Sequence, residues 1–121
     1  MKKGRKNDSL KLRMDLIPPE VEEIIAGVLT YGSLKYDDNN WKNDLDVSRI
    51  YGALRRHLSE YRKDKDSIDP ETAMLHIDHA LCNMVFLVWY AHKDDGDDGG
   101  ADWTKVIKRW RWKLNGKKET T

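Results

Sequence analysis

Apolar residues recur at the spacing of an amphipathic helix in three stretches of the chain. The first stretch follows Pro18 and Pro19, and acidic residues fill its first turn, where the helix dipole favours negative charge. Its apolar stripe consists of Val21, Ile24, Ile25, Val28 and Leu29. This pattern predicts a core-facing helix that ends at Tyr31 and Gly32.

The second stretch begins at Asp46, a residue type that often caps helix N-termini. Its apolar stripe consists of Val47, Ile50, Tyr51, Leu54, Leu58 and Tyr61. His57 lies within this stripe and Glu60 lies at its edge. The imidazole of His57 is therefore expected to point into the protein.

The third stretch is predicted to begin with Asp69 as the N-cap and Pro70 in the first turn, and to run to about His92. Its apolar stripe consists of Met74, Ile77, Leu81, Met84, Val85 and Val88. The opposite side carries the polar residues His76, His79 and Asn83. Because nearly every residue in 80–91 is apolar, we expect this helix to be buried on most sides and its polar residues to face protein. The capping role accounts for Asp69, which is not counted among the candidate ligands.

The segment between the first two helices, residues 33–44, is rich in asparagine and aspartate and also carries Lys35, Tyr36, Asn40 and Trp41. Two interpretations of this segment remain open. It is either a well-capped connection in which Trp41 covers the edge of the core, or a binding loop whose rings and cation fit a nucleotide.

Beyond the third helix, residues 93–101 form an acidic, glycine-rich linker, and residues 102–121 are basic and rich in tryptophan. The pattern from Trp103 to Leu114 predicts a short amphipathic helix. This helix would dock on the bundle or on a partner subunit, or contact nucleic acid or a membrane surface. The rest of the chain, residues 1–92, forms one helical domain in which about the first nine residues are mobile.

The composition is that of one soluble domain, because the chain has 121 residues of which 36% are charged. Its formal net charge of +1 implies no overall attraction to nucleic acid. A single cysteine, Cys82, excludes a disulfide framework. No signal-peptide core follows the basic N-terminus and no apolar run is long enough for a bilayer, so we predict a cytoplasmic protein without membrane association.

Candidate metal ligands occur in two pairs, one on the second helix and one on the third. The pairs are His57 with Glu60, and His76 with His79. Side chains three positions apart lie one turn apart on neighbouring faces, so the two pairs could converge on a metal inside a helical bundle. Arg56, one turn before Glu60, forms either a surface ion pair or a phosphate clamp beside that metal.

Other site types are excluded by their motifs. The sequence has no His-Glu-x-x-His, no adjacent His-Asp in that order and no Walker loop. The predicted burial of Cys82 argues against a nucleophilic cysteine.

Several short motifs, in order between about residues 10 and 90, resemble those of the phage-type dATP/dGTP diphosphohydrolases, within the MazG-like all-α nucleotide pyrophosphohydrolases. The motifs are Leu16-Ile17-Pro18, Thr30-Tyr31-Gly32, Lys35-Tyr36, Asn40-Trp41, Arg56-His57-Leu58, Asp69-Pro70-Glu71 and His76-x-x-His79-Ala80-x-x-Asn83. The resemblance implies an all-α MazG-like bundle of three to four main helices plus the short C-terminal helix, completed by assembly into homodimers or homotetramers.

The same resemblance implies an activity and a cofactor. Divalent metal, Mg²⁺ in the family, would hold the triphosphate of dATP or dGTP while water attacks the α-phosphorus, which releases a nucleoside monophosphate and pyrophosphate. Where MazG proteins carry Glu-Glu-x-x-Glu and Glu-x-x-Asp, this chain has Arg56-His57-x-x-Glu60 and His76-x-x-His79. Imidazoles in place of carboxylates would favour Mn²⁺, Co²⁺, Ni²⁺ or Zn²⁺.

The resulting hypothesis assigns a role to each candidate residue. The metal and catalytic set consists of His57, Glu60, His76 and His79, with Glu60 as ligand or general base. Lys35, Arg55 and Arg56 would neutralise phosphate charge, and the contacts to base or sugar would come from Tyr36, Asn40, Trp41 and Asn83.

Two alternatives remain open. One is a non-enzymatic helical module whose polar face is an internal hydrogen-bond network and whose basic tail contacts DNA or a protein partner. The other keeps the fold and changes the substrate to a different phosphoanhydride. In either case the predicted location is the cytoplasm, of a bacterial host if the chain is phage-encoded.

Overall fold

The computed structural model describes residues 12–93 and Lys108, and within these ranges every regular element is helical. Three α-helices, α1 (Pro19–Lys35), α2 (Val47–Lys63) and α3 (His76–His92), alternate with two 3-10 turns, Met14–Leu16 and Asn40–Lys42. Between α2 and α3, an isolated antiparallel bridge pairs Ile68 with Leu75. The all-α prediction is confirmed, whereas the predictions for the first nine residues, most of the linker and the Trp-rich segment lie outside the described residues.

Helix α1 begins as predicted, with Pro18 as the capping residue and glutamates in the first turn. It ends one turn later than predicted, because the Gly32 carbonyl accepts a hydrogen bond of 2.8 Å from the Tyr36 N–H and the helix continues to Lys35. The helix-breaking tendency of one glycine amounts to about 1 kcal/mol, which helical hydrogen bonding and packing override here.

Helix α2 follows the prediction at its N-terminus. The Asp46 carboxylate accepts hydrogen bonds from the Ser48 N–H at 3.0 Å and from the Ser48 hydroxyl at 2.8 Å. Ile50 and Leu54 of the predicted stripe are buried, whereas Tyr51 in the same stripe is 50% exposed.

The prediction that the third helix begins at Asp69 is wrong, because α3 begins at His76. Asp69 does accept hydrogen bonds from the N–H groups of Glu71 and Thr72, as an N-cap would. However, the Ala73 N–H then bonds back to the Asp69 carbonyl, and Ala73 has a φ of 62°, which reverses the chain instead of continuing a helix. We call residues 67–76 the α2–α3 turn.

The expectation that α3 is buried on most sides is also wrong for the single chain. Ala80 and Cys82 are buried, but Met84 and Val88 of the apolar stripe are 44% and 45% exposed. The opposite, polar side is half-buried at His76, His79 and Asn83. The side that carries the polar groups is therefore at least as well packed as the apolar stripe.

Helix α3 is central, since it packs extensively on α2 and also contacts α1. None of the helices within the described ranges has the length and hydropathy needed to cross a bilayer.

Close approach of α1 to the α2–α3 turn depends on Gly27, where a Cβ atom would lie 3.2 Å from the terminal methyl of Met74. This arrangement brings the end of α1, the segment before α2 and the α2–α3 turn to one side of the molecule.

Candidate functional site

Three histidines form the centre of the site, one from α2 and two from the first turn of α3. His57 Nδ1 lies 2.8 Å from His76 Nδ1, and the His57 ring stacks on the His79 ring with centroids 5.0 Å apart. All three side chains are half-buried. The helical spacing of the predicted pairs thus brings these histidines together.

The contact between two ring nitrogens restricts the protonation of the pair. One nitrogen must donate and the other must accept, so both rings cannot carry a proton at Nδ1 at once. Burial of His57, and then the neighbouring His79 and His76, lower its pKa from the ordinary value. His57 is therefore held as a neutral imidazole, the form in which histidine binds metals.

Asp69 is a candidate metal ligand that the sequence reasoning excluded. One ligand atom each from His57, Asp69 and His76 lie within 4.8 Å of one another. Two imidazole nitrogens and a carboxylate oxygen are donors that fit a divalent ion. The capping contacts of Asp69 use only its Oδ1 atom, so the predicted capping role was no reason to exclude it.

Glu60 is not brought into this group in the part of the chain that the structure describes. Its carboxylate lies 3.1 Å from the Lys63 ammonium, in an exposed ion pair one turn along α2. The role of Glu60 as ligand or base stays a prediction.

His79 has a different hydrogen-bond partner from the other two histidines. Its Nε2 atom lies 2.6 Å from Thr72 Oγ1, and the same hydroxyl oxygen accepts the Met74 N–H at 3.2 Å. A hydroxyl donates one hydrogen bond and accepts two, so the Thr72 side chain pairs with His79 Nε2 in either tautomer of the histidine. His79 is thus oriented by the α2–α3 turn, and its role as a ligand stays a prediction.

An open groove of about 840 Å³ runs from the histidines along α1 to the segment before α2. Its lining includes six residues of the predicted site: Lys35, Tyr36, Asn40, Trp41, His57 and His79. The predicted loop contacts and two of the predicted catalytic residues therefore face a common space.

One wall of the groove carries a charged network that was not predicted. The Glu71 carboxylate accepts a hydrogen bond of 2.7 Å from the Tyr31 hydroxyl and forms an ion pair with Lys35. These contacts lower the pKa of Glu71, and the carboxylate raises the pKa of Lys35. Lys35 therefore stays charged beside the histidines.

The position of Trp41 agrees with both interpretations of its segment. Trp41 lines the groove, as a binding loop would, and it also packs on α3, as a residue that covers the edge of the core would. Its ring stacks on Phe86 with centroids 4.7 Å apart and meets the edge of Trp89 at 5.3 Å. The Tyr90 hydroxyl donates to the Trp41 carbonyl at 2.6 Å and accepts the Leu45 N–H at 3.0 Å. Tyr90 thus fixes the loop at two points.

Three predicted substrate contacts do not line the groove. Arg55 donates to the Tyr51 hydroxyl at 2.9 Å and lies over that ring, and Arg56 is exposed beside Gly52. Successive helical residues are about 100° apart, so these arginines project from other faces of α2 than His57. Asn83 is half-buried one turn beyond His79. All three contacts stay predictions.

The charge of the groove is unfavourable for a free polyanion. Its lining contains the carboxylates of Asp37, Asp38, Asp69 and Glu71 and a single ammonium group, that of Lys35. A polyphosphate would enter this groove only together with cations.

Comparison with known proteins gives one family and one curated relative. The family described as "dATP/dGTP diphosphohydrolase, N-terminal" matches residues 1–99. A dATP/dGTP diphosphohydrolase of Salmonella phage PMBT28 is 37% identical over 86 residues. No solved structure shows significant similarity.

The extent of these matches differs between the two chains. The aligned region covers 71% of this chain and 29% of the phage protein, so the chain spans less than a third of the length of that relative. The family match covers most of the chain, including the three helices, the α2–α3 turn and the groove. The chain therefore belongs to the dATP/dGTP diphosphohydrolase N-terminal family.

Proposed function

We propose that this chain hydrolyses dATP and dGTP to the nucleoside monophosphate and pyrophosphate. The observation that carries the proposal is the shared groove, in which His57 and His79 lie together with the loop residues Tyr36 and Asn40. A groove of about 840 Å³ is within the usual size of a small-molecule site. The name of the phage relative supports a deoxynucleotide as substrate.

The proposed reaction depends on a divalent ion. His57 and His76 are the proposed ligands from the two helices, since their ring nitrogens are in contact and belong to the group suited to a metal. Such an ion supplies Lewis acidity, which neutralises phosphate charge and makes water a better nucleophile near neutral pH. The acidic lining of the groove gives a second reason for a cation.

His79 and Lys35 act directly on the phosphates in this proposal. His79, which contacts Thr72 through Nε2, is proposed to donate from Nδ1 to a phosphate oxygen. Lys35 adds positive charge after exchanging part of its contact with Glu71 for phosphate. Water forms the new bond to the α-phosphorus, and the electron pair of the broken α–β bridge leaves with pyrophosphate.

The remaining proposed contacts are to the base and sugar of the nucleotide. Tyr36 is 60% exposed, so a base can reach its ring, over which the Lys35 ammonium lies 5.3 Å from the centroid. The Asn40 side chain supplies amide donors and acceptors on the same side of the groove.

Glu60 remains the proposed general base, since its exposed ion pair with Lys63 opens at little cost.

The active form is proposed to be a homodimer or homotetramer. Within residues 12–93, the buried apolar side chains are those of Ile50, Leu54, Ala80 and Cys82. The outer apolar residues of α2 and α3 are Val47, Tyr51, Leu58, Tyr61, Met84 and Val88, each more than a third exposed. Their exposure supports the oligomer that the family resemblance implies, in which a second copy would cover these residues.

The direct test incubates the purified chain with each dNTP and rNTP, separately with Mg²⁺, Mn²⁺ and Co²⁺, and separates the products by chromatography. We expect monophosphate and pyrophosphate from dATP and dGTP. His79→Ala should lose at least about a hundredfold in kcat while the circular dichroism spectrum is retained. Absence of cleavage with every metal, or full activity of His79→Ala, would refute the proposal.

A further inference from the structure

The α2–α3 turn carries Asp69 and His76 on its two arms, with Asp69 opposite Met74 and His76 opposite Ser67. The Asp69 N–H donates to the Met74 carbonyl at 2.8 Å, and the His76 N–H donates to the Ser67 carbonyl at 3.1 Å. The bridge between Ile68 and Leu75 lies between these two hydrogen bonds. Backbone contacts therefore fix the position of Asp69 relative to the start of α3.

Backbone strain in the same turn indicates that this geometry is imposed by its surroundings. Ala73 adopts a φ of 62°, a conformation that glycine tolerates and alanine rarely adopts. The cost is of the order of 1 to 3 kcal/mol, and such conformations cluster at functional sites. The Ala73 N–H is nevertheless bonded to the Asp69 carbonyl at 2.8 Å, which keeps the turn closed around that aspartate.

The side chain of Asp69 has one oxygen available for a further ligand. Its Oδ1 atom accepts the N–H groups of Glu71 at 2.8 Å and Thr72 at 3.3 Å. No ion pair to Asp69 is formed within residues 12–93, in contrast to Glu60, which pairs with Lys63. The second carboxylate oxygen of Asp69, in this half-buried position, is therefore available to coordinate a metal.

The dimensions of the group match a metal with short bonds. The three ligand atoms lie within 4.8 Å of one another, and the two imidazole Nδ1 atoms are 2.8 Å apart. Bonds of about 2.0 to 2.2 Å around a tetrahedral ion separate neighbouring ligands by roughly 3.3 Å. Small side-chain rotations would bring the group to that spacing.

We propose that Asp69 completes a three-residue divalent-metal site with His57 and His76, selective for Mn²⁺, Co²⁺, Ni²⁺ or Zn²⁺ over Mg²⁺. Two imidazoles and one carboxylate favour these transition-metal ions, because Mg²⁺ prefers oxygen ligands and retains water. This inference rests on the proposed function for the role of the metal in hydrolysis. Metal binding itself is measured without substrate.

The experiment titrates the metal-free full chain with Co²⁺ and records visible absorption and calorimetric heat. Asp69→Asn preserves an oxygen that accepts the Glu71 and Thr72 N–H groups, so the turn should remain folded while the anionic ligand is lost. We expect Asp69→Asn to weaken Co²⁺ binding by at least about tenfold. The matched control Asp66→Asn, which removes an exposed carboxylate at the same end of α2, should bind as the wild type does.

Several results would overturn the proposal. These are wild-type Co²⁺ affinity in Asp69→Asn, a loss in Glu60→Gln with none in Asp69→Asn, or displacement of Co²⁺ by an equimolar amount of Mg²⁺. If Asp69→Asn does not fold, X-ray absorption of the Co²⁺-loaded wild type decides the matter. A Co²⁺ ion bound by two imidazoles and oxygen ligands would agree with the proposal. A Co²⁺ ion bound by three imidazoles, or by none, would contradict it.

The nucleotide assay on the same preparations separates this inference from the proposed function. Co²⁺ binding that depends on Asp69 in a chain that cleaves no nucleotide would support the metal site and refute the hydrolysis. Cleavage by a chain whose Co²⁺ affinity is unchanged in Asp69→Asn would support the hydrolysis and refute the assignment of Asp69.

Discussion

The hydroxyl of Thr72 links the α2–α3 turn to the imidazole that faces the groove. It accepts the Met74 N–H from within the turn and lies 2.6 Å from His79 Nε2. A side chain with these two contacts fixes both the path of the turn and the orientation of the histidine ring. The residue acts through His79 and is therefore a positioning residue.

Replacing Thr72 by valine should lower kcat for dATP by about tenfold or more and leave KM nearly unchanged, because the isosteric side chain cannot orient His79. Thr72→Ser keeps the hydroxyl and should restore most of the rate. Steady-state kinetics of both variants, at a temperature well below their unfolding transitions, provide the measurement. Equal rates for valine and serine would show that the hydroxyl has no orienting role.

At the residue scale, side chains on helices were easier to predict than those on turns. The period of 3.6 residues correctly brought His57, His76 and His79 together, since helical spacing fixes which side chains share a face. Asp69 lies in a turn without a period, and its capping chemistry fits a helix start and a closed turn equally well. No local signal distinguished these two outcomes.

The Tyr90 side chain of α3 holds the loop before α2 at two points. Tyr90 bonds to the Trp41 carbonyl and to the Leu45 N–H, and the Trp41 ring packs on Phe86 and Trp89. The rings hold one face of the loop while its other residues line the groove. The shape of the groove therefore depends on the C-terminal half of α3.

Tyr90→Phe should raise KM for the nucleotide several-fold with a smaller change in kcat, because the loop loses two hydrogen bonds far from the histidines. The unfolding free energy should fall by about 1 to 2 kcal/mol, since the part-buried Trp41 carbonyl and the Leu45 N–H both lose their partner. Steady-state kinetics and urea denaturation measure the two effects. Tyr61→Phe, which removes a hydroxyl on α2, is the control, and identical behaviour of both variants would contradict the anchoring role.

The start of α2 provides a pH-dependent contribution to stability. Hydrogen bonds from the Ser48 hydroxyl and N–H lower the pKa of Asp46 below that of an unfolded aspartate. A folded-state pKa below the unfolded value stabilises the protein above the unfolded pKa, and this contribution is lost as pH falls through the folded one.

Asp46→Asn retains a capping side chain without a charge. The Tm of the wild type should exceed that of the variant near pH 6, and the difference should shrink below about pH 4, where the aspartate becomes protonated. Thermal unfolding followed by circular dichroism across this range measures the effect. A difference that does not change with pH would rule out ionised Asp46 as its source.

At the scale of whole elements, the apolar stripes predicted the existence of all three helices, and their ends were harder to place. Asp46 was a correct N-cap because a helix follows directly, whereas Gly32 did not end α1 because its carbonyl continued the helical hydrogen bonding. The ends depend on contacts of a few residues with distant parts of the chain, which a periodic pattern does not contain.

At the scale of the whole molecule, the described residues 12–93 leave a large part of the apolar stripes exposed. Helix α3 is the most apolar of the three helices and yet leaves Met84 and Val88 nearly half exposed, as α2 does with Tyr51. Periodicity indicates that a face is apolar but not whether the same chain or a second copy covers it.

Leu58→Glu should shift the proposed oligomer toward monomer, because a charge placed among the outer apolar residues of α2 and α3 must be desolvated when a second copy binds. Leu58 is 38% exposed in the single chain, so the substitution leaves the buried core intact. Light scattering coupled to gel filtration measures the mass. Leu34→Glu, at the 84% exposed end of α1, is the matched control. A monomeric wild type, or dissociation by Leu34→Glu alone, would contradict this interface.

The proposed metal ligands lie close together along the chain, and this has a consequence for the order of folding. His57 and His76 are 19 positions apart, whereas Lys35 and Glu71 are 36 apart and Trp41 and Tyr90 are 49 apart. Short loops close at a smaller entropic cost and local contacts form sooner. We expect the histidine cluster to assemble as α2 and α3 pair, before α1 and its loop complete the groove. A chain with a damaged α1 would then lose nucleotide binding while it continued to capture metal.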